Sequence, residues 1–189
     1  MEITTWYLEQ SDPAQIRRGS APAVPVEVVR AELPSPELSR FLYTAVGGDW
    51  SWTDRLAWTW QQWQDHLNRP GLETWVAYVQ GTPAGYAELD GTHPGEVEIV
   101  YFGLLPGFTG RRLGGHLLAT ALEKSWSLGT RLPTPTPVQR VWLHTCSLDG
   151  PTALSNYQAR GLTLYRTETE TAEVPTEQPG PWPNAHRPH

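Results

Sequence analysis

The segment from Glu96 to Leu128 limits the fold more than any other part of this chain. It opens with the longest β-like run, Glu96 to Leu105 (EVEIVYFGLL), which Pro106-Gly107 stops. A glycine-containing turn follows. From Gly110 to Leu128 the apolar residues fall at helical spacing, with Leu113, Leu117, Leu118, Ala121, Leu122 and Trp126 on one stripe and Gly129 at the C-terminal end. A strand that runs through such a turn into an amphipathic helix sets a sheet against a helix. It also leaves the first N–H groups of the helix unpaired, where the helix dipole adds partial positive charge. Glycines at 110, 114 and 115 let an anion approach the main chain, and Arg111 and Arg112 add full charges beside it. The pattern fits a phosphate or pyrophosphate. It is not a P-loop, because GxxxxGKS/T is absent and Lys124 lies far down the helix. Nor is it a GxGxxG fingerprint, because Gly110 has no glycine two residues on.

The rest of the chain supplies a sheet to go with that helix. A short alternating stretch, Val24 to Val29, reads as a strand within the proline-rich residues 11–36. Pro36 to Val46 reads as a helix capped by Ser35 and ended by Gly47-Gly48, and Thr59 to Leu67 as a second short helix. Glu73 to Gln80 and Ala84 to Asp90 flank Gly81-Thr82-Pro83 as a hairpin. Beyond the long helix come a strand at Arg140 to Thr145, a helix at Pro151 to Arg160 and a strand at Leu162 to Thr169. This order describes an α/β (α+β) domain with a mixed sheet. Its expected extent is residues 1–171, with 1–23 as an N-terminal extension and 172–189 as a mobile proline-rich tail.

Composition narrows the function classes. A length of 189 residues is one ordinary domain, and a net charge of −6 argues against a general nucleic-acid binder. No apolar run approaches the roughly 20 residues that span a bilayer, and the polar start MEITTWYLEQ does not read as a signal peptide. The single cysteine, Cys146, excludes an internal disulfide framework and a multi-cysteine zinc site, so the expected compartment is the cytoplasm. The six histidines are scattered without metal-ligand spacing, and no metal is expected. Of ten tryptophans, Trp50, Trp52, Trp58, Trp60 and Trp63 crowd one segment. Each has an ordinary explanation in core packing, and together they suit a wall around a ligand.

The turn at Thr109-Gly110-Arg111-Arg112-Leu113-Gly114 resembles the pyrophosphate-binding Q/R-x-x-G-x-G/A of the GNAT superfamily of N-acetyltransferases. Thr109 stands where the family uses Gln or Arg, and Arg112 where it uses its first glycine. The order of elements carries the likeness from about residue 24 to 170. It implies a mostly antiparallel central sheet flanked by helices, with a splay between the fourth and fifth of the strands named above. It also implies acetyl-CoA as co-substrate, held by Thr109, Gly110, Arg111, Arg112, Leu113, Gly114, Gly115 and Asn156, with the main chain of Phe102 and Leu104 pairing with the pantetheine arm.

Two side chains carry the chemistry that this resemblance implies. The run Glu98-Ile99-Val100-Tyr101-Phe102-Gly103-Leu104 is similar to the segment holding the catalytic glutamate in the histone-acetylating branch. A primary amine of pKa near 10.4 is neutral in only about one molecule in two thousand at pH 7, so a base must take its proton before it can attack. Glu98 is the expected base, with Glu88, Asp49, Asp54 and His144 as competitors. Ala153, Tyr157 and Gly161 match the family's A-x-x-x-Y-x-x-x-G, in which the tyrosine protonates the departing thiolate. His144 and Cys146 share a strand face, but i and i+2 neighbours rarely meet as a nucleophilic pair.

The expected activity is therefore acetyl transfer from acetyl-CoA to a primary amine by direct attack in a ternary complex. A non-catalytic acyl-CoA-binding domain of the same fold is the alternative. The acceptor is expected to be a small-molecule or peptide amine entering over Trp50–Trp63, where Asp49 and Asp54 suit a cation and the rings suit stacking. Neither nucleic acid nor membrane is an expected partner, and a homodimer is left open.

Overall fold

The computed structural model describes residues 1–172 and Gly180, so the tail expected at 172–189 falls, apart from Ala172 and Gly180, outside the described residues. The elements in chain order are β1 (Glu2–Gln10), β2 (Glu27–Arg30), α1 (Pro36–Gly47), α2 (Trp60–Leu67), β3 (Leu72–Val79), β4 (Thr82–Asp90), β5 (Glu96–Leu104), α3 (Leu113–Leu128), β6 (Arg140–Cys146), α4 (Ala153–Ala159) and β7 (Thr163–Thr171).

Local signals set several of these boundaries. Ser35 Oγ accepts from the Leu38 N–H at 3.2 Å and Pro36 opens α1. Thr59 and Gln62 form a capping box at the start of α2. The end of α1 has a different cause from the one expected. Gly48 keeps right-handed helical angles, and Gly47 is a glycine because a Cβ there would lie 2.3 Å from the Trp52 ring. The β3–β4 hairpin turns on Gln80 and Gly81, with φ of 50° and 78°. That is one residue earlier than the expected Gly81-Thr82-Pro83, because a two-residue hairpin loop needs two left-handed residues.

The seven strands form one sheet in the order β2-β3-β4-β5-β6-β1-β7. Every neighbouring pair is antiparallel except β5 and β6. Helices α3 and α4 cover one face, where Leu118 and Leu122 are wholly buried against Leu8, Leu89, Val97 and Val141. Truncating either leucine to alanine is worth about 2–5 kcal/mol. On the other face α1 packs Leu42 and Val46 against Val76 and Tyr86. The expected strand at Val24–Val29 shrinks to β2; Val24 and Val26 pack instead beside Leu113, at the start of α3. Among the described residues no helix is long and apolar enough to cross a membrane.

β1 is the element that sequence reasoning missed. It lies inside the sheet between β6 and β7, within the residues expected only as an N-terminal extension. Its apolar residues do not alternate, since Ile3 falls on one face and Trp6 and Leu8 on the other. Its polar residues are consumed by partners far along the chain. Glu9 pairs with Arg140 at 2.6 Å, and Gln10 accepts from Trp126 Nε1 at 3.1 Å while donating to the Arg160 carbonyl at 3.2 Å.

Candidate active site

β5 and β6 pair over three rungs only, Glu96 with Arg140, Val97 with Val141 and Glu98 with Trp142. Beyond Glu98 the strands part. The fork opens a cleft of about 940 Å³, lined by β5 from Ile99 to Leu104, by the starts of α3 and α4, and by Trp50, Trp52 and Asp54. This is the splay expected between the fourth and fifth strands, now numbered β5 and β6. A bulge opposite Glu88 and Leu89 gives β5 an extra residue at Val100. It shifts the alternation, so that Ile99 and then Phe102 face the α3 core while Tyr101 faces α1. On the β6 side, the main-chain edge of β5 after Glu98 is left to the cleft.

One end of the cleft is formed by the turn that leads into α3. Thr109 Oγ1 donates to the Pro106 carbonyl at 3.0 Å, fixing the start of the turn. Gly110 (φ 76°) and Arg112 (φ 62°, ψ 13°) are both left-handed, and α3 starts at Leu113, later than the expected Gly110. Arg112 is therefore the N-cap and not a residue of the first turn. It occupies a conformation that glycine adopts at little cost, and an L-residue there carries about 1–2 kcal/mol of strain. No side chain caps α3, so its first N–H groups are left to the cleft. Gly115 keeps the helix start bare, because a Cβ there would lie 2.8 Å from Arg160 Nη1. Arg160 Nε is buried with no hydrogen-bond partner among the described residues. A helix N-terminus and two left-handed turn residues, with the exposed Arg112 side chain beside them, fit a pyrophosphate well.

The expected cofactor residues divide here. Phe102, Leu104, Thr109, Gly110, Arg112, Gly114, Gly115 and Asn156 line the cleft. The Leu113 side chain is buried beside Val79 and Ala84. The Arg111 guanidinium lies 5.8 Å from the Phe108 ring centre, and its carbonyl accepts from the Ala23 N–H at 3.3 Å. These two offer main-chain N–H groups to the turn.

The other expected residues gather at the fork. Glu98 Oε1 and His144 Nδ1 are 3.3 Å apart. The hydrogen bond to Glu98 raises the His144 pKa against the opposing effect of burial, and the charges of Glu98, Asp149 and Asp54 add to the rise. Tyr157, on α4, is 7% exposed and meets the Phe102 ring edge-on at 6.0 Å. Burial pushes its phenol well up, with Asp149 adding, so it remains a proton donor throughout the neutral range. Asp149 Oδ2 accepts from Thr145 Oγ1 at 2.5 Å and from the Cys146 N–H at 3.0 Å. Burial and Asp149 also push the Cys146 thiol up, which keeps it protonated and a poor nucleophile.

The tryptophan segment differs from the expected ligand wall. Arg55, 7% exposed, donates through Nη1 to both oxygens of Glu88 at 2.8 and 3.0 Å. Its guanidinium sits 4.7 Å from the Trp58 ring centre, 5.8 Å from Trp63 and 4.5 Å from Tyr101. The cation stacked on these rings is thus the protein's own. His66 Nε2 donates to Glu88 at 3.0 Å while its Nδ1 accepts from Arg69 at 3.1 Å, which fixes a neutral imidazole. Burial alone would raise the Glu88 pKa, but the hydrogen bond from His66 and the charge and hydrogen bonds of Arg55 outweigh it and hold the carboxyl below its ordinary value. Glu88 is a locked structural anion rather than a competitor base. Trp60 is exposed and donates to Glu37 at 3.0 Å, which leaves Trp50 and Trp52 as the segment's tryptophans on the cleft. Asp54 is exposed on the cleft wall, and Asp49 is exposed outside it.

The strand fork thus has the uncapped start of α3 at one end and Tyr157, Glu98 and His144 at the other. The model of the acetyltransferase (GNAT) family matches residues 33–161, and the chain belongs to this family. Among solved structures it is similar to a GCN5-related N-acetyltransferase from Kribbella flavida, at 18% identity and TM-score 0.61 over 88% of this chain and 56% of that one. It is also similar to a GCN5-related N-acetyltransferase from Sphaerobacter thermophilus, at 14% identity and TM-score 0.63 over 87% of this chain and 49% of that one. A third likeness is to the ribosomal-protein-S18-alanine N-acetyltransferase from Escherichia coli, at 13% identity and TM-score 0.53 over 72% of this chain and 77% of that one. These likenesses show the fold. The chain spans about half the length of the first two. No curated protein matches the sequence.

Proposed function

We propose that this protein transfers the acetyl group of acetyl-CoA to a primary amine by direct attack in a ternary complex. The observation that carries this reading is the fork itself. The anion-binding turn, the unpaired edge of β5, Tyr157 and the Glu98–His144 pair all meet one cleft or its rim. Acetyl-CoA supplies an activated acyl group. The N–H groups at the start of α3, with Arg112, would hold its pyrophosphate, and the β5 edge at Phe102 and Leu104 would orient its pantetheine arm. Glu98 and His144 form the basic end and free the amine nitrogen's lone pair. Tyr157, kept protonated by its burial, donates to the departing sulfur. The protonated state of Cys146 supports direct transfer over an acyl-cysteine route.

The acceptor approaches past Trp50, Trp52 and Asp54, which suits an amine that is cationic before it reacts. The test is an amine and peptide panel with acetyl-CoA, read by free-thiol release and by product mass. Product with stoichiometric thiol supports transfer. Thermal stabilisation by acetyl-CoA without thiol release from any acceptor would leave the acyl-CoA-binding alternative in its place.

A further inference from the structure

We propose that His144 Nε2 is the atom that takes the amine's proton and that Glu98 is a positioning residue behind it; this rests on the acetyl-transfer reading above. Three observations carry it. His144 lines the cleft, with its side chain 45% exposed, whereas Glu98, at 22%, stands at the last paired rung of the fork. Glu98 pairs with Trp142, and His144 is the next residue of β6 on that face, so the imidazole projects where the strands have just separated. The ring also packs against Tyr7 at 5.8 Å and Trp142 at 6.3 Å between centroids.

The hydrogen bond decides which nitrogen acts. An ionised carboxylate only accepts, so Nδ1 must carry the hydrogen that bridges to Glu98. In the neutral ring the lone pair is then on Nε2, on the side away from Glu98. The titratable groups around the imidazole are Glu98 from β5, Tyr7 from β1, Asp149 after β6, Asp54 from the tryptophan segment, and Cys146 two residues on along β6. The carboxylates among them favour the protonated ring, which makes it a stronger base than a free imidazole.

The proton count closes. The nitrogen lone pair forms the C–N bond, and the C–S bond breaks with its electron pair on sulfur. Of the two protons an ammonium sheds, one passes to His144 and on to solvent. The other replaces the proton that Tyr157 gives to the sulfur.

Two readouts test this assignment. In the free protein, imidazole ¹⁵N shifts of neutral His144 should show a protonated Nδ1 and a lone pair on Nε2, and Glu98→Gln should lower the ring's pKa. With a competent amine, His144→Gln should cut kcat/KM by about 10²-fold or more. Glu98→Gln should cost about tenfold in kcat, leave KM unchanged and move the acid limb of the pH profile to lower pH. His144→Ala should recover activity with added imidazole, which separates lost chemistry from lost folding. A neutral ring protonated on Nε2 would overturn the inference. So would a His144→Gln rate within about twofold of wild type while Glu98→Gln is inactive. If the wild type acetylates no amine, the acetyl-transfer reading falls and this assignment falls with it.

Discussion

Two arginine-bearing regions, one behind the cleft and one at its mouth, spend their charge in opposite ways. At the tryptophan segment Arg55 is buried, stacked among aromatic rings and neutralised by Glu88, whose second partner is a neutral His66. At the turn before α3, Arg112 is exposed and strained, and no side chain caps the first N–H groups of the helix. The first region is finished without a ligand. The second is a site in which an anion would complete the hydrogen bonding. Aromatic and arginine residues read alike in composition, yet only their partners reveal which charges are available to a substrate.

The largest expected effect breaks the finished region. Glu88→Ala leaves Arg55 buried and uncompensated and should cost about 3–5 kcal/mol in urea unfolding, most of it regained by adding Arg55→Met. Because the folded protein holds this carboxyl below its ordinary pKa, the unfolded chain binds the proton first. The stabilisation is present at neutral pH and is lost as pH falls through the folded value, so wild type and Glu88→Ala should converge in acid. Equal stability at pH 7 would show that packing alone holds the segment.

Loading the unfinished region comes next. Acetyl-CoA at 100 times its dissociation constant should stabilise the protein by about 2.7 kcal/mol, visible as a higher melting temperature. A pantetheine thioester without the nucleotide phosphates should do far less, and no shift at millimolar acetyl-CoA would remove the turn as a phosphate site. Tyr157→Phe should lower turnover by about 10- to 100-fold with acetyl-CoA affinity unchanged, measured by thiol release and calorimetry. An undiminished rate would assign the sulfur's proton to another group.

The smallest effect sharpens the contrast most. Arg112→Gly should relieve the left-handed strain of about 1–2 kcal/mol, partly offset by the freedom glycine adds to the unfolded chain, raising stability without ligand by up to about 1 kcal/mol while weakening acetyl-CoA binding and flattening its salt dependence. Tighter binding instead would mean that the side chain obstructs the turn.

What could be read from the sequence follows from the range of the forces involved. The Ser35-Pro36 start of α1 and the leucine stripe of α3 are local signals, and both helices form where those signals lie. The fork, which opens after Glu98, has no local signal and is implied only by the family resemblance. β1 stayed hidden because its stabilising partners are Arg140, Trp126 and Arg160, far along the chain. The same holds for the Arg55 box, assembled from residues 55, 58, 63, 66, 88 and 101 on separate elements. The partnership of Glu98 with His144 needed the β5–β6 register, which no spacing in the sequence encodes.

The interior place of β1 also bears on how the chain is made. β1 ends at Gln10, and its neighbours begin at Arg140 and Thr163. At roughly 5–20 residues per second, a ribosome needs on the order of ten seconds after finishing β1 to produce either of them. During that interval both edges of β1 are unpaired, and Glu2, Thr4, Thr5, Glu9 and Gln10 make it a poor template for association with other chains. The meander from β2 to β5 has its partners close in sequence and can assemble early. The β6-β1-β7 half waits for partners such as Gln10 with Val141 and Glu2 with Thr171, far apart in sequence, so it closes last during synthesis.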